Sequence, residues 1–273
     1  MNRVAIAEAP GSSAGSSESS GGGSAGAQTL QVFILGPARS GTSITYHAMR
    51  EVFGLPGDGE GHVIPIFQRV IHEYYRYSMD FRETKGVLAR RLDTASFRNH
   101  VYDFVRRTYY SIYPDRAWVD KTPGSEALVG VELILSAFPE AKIILTTRTG
   151  VEVVESFRRK FSRSFEDACR VWADCMRAAQ MVRDREFPIL EVDQYDLTNE
   201  PALAASRIAR FLGRSEKEAD LARFFSDRRV EKSSTHDWTR RQTLSNVDWS
   251  DDEKAIFTEI CGDWMGRLGY PIQ

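Results

Sequence analysis

Residues 30–43, LQVFILGPARSGTS, constrain this chain more than any other stretch. An apolar run rich in β-branched and aromatic side chains, Leu30 to Leu35, has the pattern of a buried strand. It ends abruptly in the small residues Gly36-Pro37-Ala38-Arg39-Ser40-Gly41-Thr42-Ser43. A helical pattern follows, burying Ile44, Ala48, Met49, Val52 and Phe53 before Gly54 and Pro56 stop it. Glycines permit a tight turn that aims successive N–H groups inward, and the helix adds the positive end of its dipole at the same point. Such a turn cradles an anion. The spacing Gly36-xxxx-Gly41 is that of a nucleotide-binding P-loop, yet the lysine due after the second glycine is Thr42, and the loop's cation is Arg39.

A strand that enters a helix this way belongs in a parallel sheet, and the rest of the chain alternates strands with helices. The expected fold is α/β, a P-loop-NTPase-like central parallel sheet flanked by helices, with a helical insertion over the site. Further strands are expected at Ala117–Asp120, Ala141–Thr147 and Phe187–Val192. Ser125 is expected to cap a helix through Leu128, Val131, Leu135 and Phe138, with later helices from Val151, over Phe165–Arg183, over Pro201–Leu212 and over Ser250–Leu268. After a glycine-rich crossing at Gly54–Gly61 comes the insertion, rich in Tyr and Arg, with an apolar stripe through Phe97, Val101, Phe104, Val105 and Tyr109.

Residues 1–28 are dominated by Gly, Ser and Ala, which bury too little apolar surface to offset the entropy of ordering, so this segment is expected to be a disordered tail. One domain over residues 29–273 is the economical expectation for the remainder, given 42% apolar residues overall. A formal charge of −2 gives no global field for nucleic acid or an anionic membrane. Three cysteines, Cys169, Cys175 and Cys261, have neither disulfide-framework nor zinc spacing, and no apolar run is long enough to span a bilayer. These features fit a soluble, cytoplasmic protein without a metal site.

The chemistry lies in three strand ends. Arg39 follows the first strand, Lys121 the second, and Arg148 the third, with Ser156 two helical turns further on. In a parallel sheet all three ends share one edge, where ligands bind. A guanidinium and a hydroxyl eight residues apart could grip one phosphate while the loop grips another, which suggests a ligand with two separate phosphates. Read from the residues alone, an atypical kinase using ATP and Mg²⁺ and a nucleotide-binding module without catalysis stand beside other transferases; the missing loop lysine argues against the kinase.

At these residues the chain resembles the sulfotransferases that use 3′-phosphoadenosine 5′-phosphosulfate (PAPS). The resemblance covers most of the chain beyond residue 30, through GPARSGTS, WVDKTP at 118–123, FPEAKIILTTRTGVEVVES at 138–156, YDLTNEPALAASRIARFLG and the closing LGYP. It is strongest to the bacterial branch related to the tyrosylprotein enzymes. It implies that Arg39, Ser40, Gly41, Thr42 and Ser43 hold the 5′-phosphosulfate and that Arg148 and Ser156 hold the 3′-phosphate. Glu60, five residues before Pro65, is implied as the catalytic base, with Lys121 and Arg39 as the catalytic cations and His62 as a rival base. The chain departs from the pattern where Thr149 replaces the aspartate that often follows the second arginine, and residues Ser233 to Arg241 have no assigned counterpart. The implied activity is sulfuryl transfer from PAPS to an acceptor hydroxyl, releasing 3′,5′-adenosine bisphosphate, with no metal and with a small molecule as the preferred acceptor.

Overall fold

The computed structural model describes residues 29–87, 91–228 and 241–272. The expected tail at 1–28 and residues 233–240 lie outside the described residues. Leu30–Leu35 forms strand β1 (Gln31–Gly36), wholly buried, and the loop opens helix α1 (Thr42–Val52). Helices α2 (Val63–Asp80) and α3 (Thr94–Ile112) form the insertion, and β2 (Trp118–Pro123) follows. Two short helices, α4 (Ser125–Val129) and α5 (Val131–Ala137), lead to β3 (Lys142–Thr147) and then α6 (Gly150–Phe161) and α7 (Phe165–Asp184). Strand β4 (Ile189–Asp193) precedes α8 (Gln194–Asn199), α9 (Pro201–Phe211), α10 (Glu218–Asp227) and α11 (Asp251–Arg267).

The four strands pair in parallel in the order β2-β1-β3-β4. Strand β1 therefore sits centrally, and its side chains alternate between two cores as a period of two requires. Phe33 and Leu35 face Trp118, Phe138, Leu145 and Trp172 on one side, while Val32 and Ile34 face Ile44, Met49, Ile208 and Phe225 on the other. Strand β1 sends the chain to β2 on one flank, whereas β3 sends it to β4 on the other. The crevice beyond the strand ends at β1 and β3 is thus a topological switch point, where open α/β sheets bind ligands.

Several local expectations are corrected. Strand β2 does not end at Asp120 but runs through Lys121, Thr122 and Pro123, the last facing Gly36 of β1. Pro123 is tolerated because β2 is an edge strand. Ser125 is the first helical residue rather than the cap, and Gly124 precedes it. The helix expected through Phe138 breaks at Gly130, where a Cβ would lie 2.5 Å from Ile64 Cγ2 at the start of α2. Phe104 is exposed, its ring tilted against Phe67 at a centroid distance of 5.3 Å, while Val101, Val105 and Tyr109 enter the core. The short α8 and the amphipathic α10, which buries Leu221, Phe224 and Phe225, were not anticipated.

Candidate functional site

The cradle owes its shape to two glycines and one strained arginine. Gly36 has φ 138°, and a Cβ there would lie 2.2 Å from the Thr146 carbonyl oxygen of β3, so no side chain fits. Gly41 has φ 91° and stands immediately before α1. Arg39 itself lies in the left-handed region at φ 72°. The first amides of α1, those of Thr42 and Ser43, have no intrahelical acceptor, which makes this helix start suited to an anion. Ser40, expected among the ligand-facing amides, closes the turn instead. Its N–H donates to the Pro37 carbonyl at 3.3 Å, and its buried hydroxyl engages Pro37 O at 2.7 Å and Thr146 Oγ1 at 2.8 Å.

Strand β3 brings the second motif against the first. Arg39 Nε donates to Ser156 Oγ at 2.9 Å, and Arg148 Nη1 donates to the Arg39 carbonyl at 3.1 Å. Arg148 is almost wholly enclosed, and its Nε bonds the equally buried Glu152 at 3.1 Å. Burial pushes the Arg148 guanidinium below its ordinary value, and the Glu152 carboxylate opposes that push. Thr149, standing where an aspartate is usual, accepts from the Glu152 N–H and caps α6. Each of the two motifs thus holds the other in place.

Strand β2 supplies the third corner. Lys121 Nζ lies 2.9 Å from Glu60 Oε1 and 3.4 Å from Ser43 Oγ, so the lysine spans from the crossing at 54–61 to the loop. Glu60 Oε2 lies 2.8 Å from His62 Nε2. Partial burial would raise the Glu60 carboxyl, but the hydrogen bonds and charges of Lys121 and His62 outweigh it and hold the group below its ordinary value. The crossing is pinned to the strand end: Gly61 N–H donates to Lys121 O at 3.3 Å and His62 N–H to Thr122 Oγ1 at 3.1 Å.

All the residues expected at the site are therefore linked: Arg39, Ser40, Gly41, Thr42 and Ser43 in the loop, Arg148 and Ser156 clasped to it, Lys121 bridging it to Glu60. The supports were not anticipated. Asp120, buried beneath the crossing, accepts from Tyr109 and Thr122, and burial raises its carboxyl while those two bonds oppose the rise. Tyr46 accepts from Gly59 N–H and donates to Gly57 O, fixing the crossing from α1. At the end of β4, Asp193 holds Arg241 at 3.2 Å and accepts from Tyr270, with Arg241 lying over the Tyr195 ring at 4.5 Å. The WVDKTP segment carried a signal for part of this, since an acid in a strand otherwise fully buried requires partners. No group of three metal-ligating side chains gathers among the described residues, and no helix among them is long and apolar enough to cross a membrane.

Residues 31–218 match the model of the family described as the sulfotransferase family. The chain belongs to the sulfotransferase family. No curated relative matches it. In fold it is similar to the sulfotransferase domain of the Synechococcus PCC 7002 olefin synthase, at TM-score 0.55 and 19% identity over 89% of this chain and 96% of that one. The sulfotransferase domain from the curacin biosynthetic pathway aligns at TM-score 0.53 and 15% identity, over 89% and 99% of the two chains. A sulfotransferase from Mycobacterium avium aligns at TM-score 0.51 and 12% identity, over 90% and 79%. At such identities the agreement is one of fold, and this sulfotransferase shares the P-loop-like α/β architecture of all three.

Proposed function

We propose that this sulfotransferase takes its sulfuryl group from PAPS and delivers it to the hydroxyl of a small molecule. The observation that carries the proposal is the Lys121 ammonium, which touches both the phosphate loop at Ser43 and the Glu60 carboxylate. One lysine thereby joins the place for a leaving phosphate to a base for the acceptor proton.

The residues present fit such a donor. Gly36 leaves no room for a side chain against β3, Gly41 takes φ 91° directly before α1, and Arg39, Lys121 and Arg148 gather at neighbouring strand ends. When bound, the donor supplies a sulfuryl group already activated by attachment to a phosphate. The amides of Gly41, Thr42 and Ser43, with Arg39 and Lys121, would oppose the negative charge that collects on the sulfuryl oxygens and on the bridging oxygen as its bond to sulfur breaks. Glu60 would accept the hydroxyl proton as the acceptor oxygen bonds to sulfur. Arg148 and Ser156 would hold the 3′-phosphate, the arginine also keeping the loop carbonyl in place.

For the acceptor, support comes from α2, which begins three residues after Glu60 and carries exposed Ile66 and Val70 on its first turns. An apolar body bearing a hydroxyl suits that surface. The biosynthetic settings of the similar olefin synthase and curacin-pathway domains agree with a small-molecule acceptor.

Titration calorimetry tests the donor. Tight binding of 3′,5′-adenosine bisphosphate, unchanged by chelation of Mg²⁺, is the expected result. Preference for ATP with Mg²⁺ would sink the proposal in favour of a phosphoryl donor.

A further inference from the structure

Glu60 is gripped at both oxygens, and its two partners differ in kind. Lys121 is anchored in β2, its side chain is largely enclosed, and it reaches the loop at Ser43 as well as Glu60 Oε1. It is shared between the acceptor base and the donor cradle. His62 stands on the same crossing as the carboxylate, and its Nε2 lies 2.8 Å from Oε2. An ionised carboxylate only accepts, so this nitrogen carries the proton and donates.

The backbone makes the contact deliberate. His62 lies at φ 51°, a conformation sparsely populated by residues with a Cβ, directly before α2. It is held there by its N–H bond to Thr122 Oγ1 and by Gly61, where a Cβ would sit 2.0 Å from Asp120 Oδ2. Strain retained against such supports puts the ring beside Glu60.

We propose that His62 is the positioning residue of Glu60: its ring N–H holds Oε2, so that Oε1 faces the acceptor hydroxyl when Lys121 turns to the donor. This rests on the sulfuryl-transfer reading given above. It assigns His62 a role other than the base, because its proton is already committed to the carboxylate.

The charged and titratable groups around Glu60 come from four elements. Lys121 and buried Asp120 belong to β2, and Tyr46 of α1 lies with its ring 5.9 Å from Lys121 Nζ. Asp58 lies on the crossing and is tied to Tyr113, just beyond α3, at 2.7 Å. His62 is the donor to Glu60 that does not also reach the phosphate loop. Removing it therefore raises the carboxyl toward its ordinary value even with Lys121 in place.

The test uses His62→Ala and His62→Gln in the full chain. In free enzyme labelled with carboxyl-¹³C glutamate, with the Glu60 signal assigned through Glu60→Gln, His62→Ala is expected to move the Glu60 titration midpoint measurably upward, and His62→Gln, which keeps an N–H donor, to restore it. In turnover, His62→Ala is expected to lower kcat about tenfold with the donor KM unchanged and the acid limb of the pH profile moved upward, and His62→Gln to recover most of the rate. An unmoved midpoint together with unchanged kcat overturns the proposal. Equal, near-complete loss of turnover in both variants also overturns it, since that is the behaviour of a base. The carboxyl titration is read without any donor, so a shifted midpoint in a protein that transfers no sulfuryl group upholds the His62 contact while refuting the transfer reading.

Discussion

Along the β1–β3 side of the crevice the charged groups are tied to one another, with the enclosed Arg148 on the equally buried Glu152 and on the Arg39 carbonyl, and the half-buried Arg39 on Ser156. Along the β2 side, Glu60 and His62 are about half exposed, at 45% and 56% of their side chains, on a crossing held by contacts to the strand end. The first side is built into the sheet and its capped helix; the second is laid over the sheet. Under the proposed function, rigidity suits the side assigned to a fixed donor, and access suits the side assigned to meeting an acceptor and passing a proton to water. On this account, mutations on the two sides should separate donor binding from turnover.

The largest expected effect is on the open side. Glu60→Gln removes the proposed base while keeping the shape, and turnover should fall about 10³-fold, within the range for general-base loss. The affinity for 3′,5′-adenosine bisphosphate should stay the same, measured by calorimetry. Parallel losses in both quantities would join the two sides into one unit and break the comparison.

On the enclosed side, Arg148→Ala should weaken binding of the bisphosphate about 30-fold, near 2 kcal/mol, by removing a charge-assisted phosphate contact. It should also cost about 3 kcal/mol of folding stability, because Glu152 would remain buried without its partner. Adding Glu152→Gln should return part of the stability and none of the affinity. Chemical denaturation and titration of both variants separate the two losses; unchanged nucleotide affinity in Arg148→Ala refutes its phosphate role.

The same division governs what the sequence could disclose. The enclosed side rests on neighbours in the chain: Gly36 to Ser43 is one turn, and Arg148, Thr149, Glu152 and Ser156 lie within three turns of one helix start, so motif and spacing place them together. The open side depends on contacts between distant residues. Gly61 lies against Asp120, His62 N–H meets Thr122, and Tyr109 reaches Asp120 from α3, none of which any local pattern encodes. Glu60 was legible through family resemblance alone, and its clasp by Lys121 and His62 was not. Errors in the fold have the same origin: Pro123 suggests the end of a strand, but pairing with Gly36 carries β2 through it, and the close approach of Ile64 at Gly130 splits a helix whose apolar spacing looked continuous.

The smallest expected effect probes how firmly the open side is laid down. Thr122 Oγ1 donates to Asp120 Oδ1 at 2.8 Å and accepts the His62 N–H at 3.1 Å. Thr122→Val keeps the shape and removes both bonds, which should cost about 1 kcal/mol of stability. Burial already raises the Asp120 carboxyl, and losing a donor raises it further. A carboxyl raised by folding stabilises the fold while it is protonated and loses that advantage as pH climbs through its folded value, so the cost of Thr122→Val should be larger at pH near 8 than near 4. Denaturation at the two pH values measures this difference. Turnover should drop by roughly threefold as His62 loosens, with nucleotide affinity unaltered. A fall in affinity instead would mean that β2 transmits the state of the crossing to the loop through Lys121 and Ser43, and that the open side helps to shape the donor cradle.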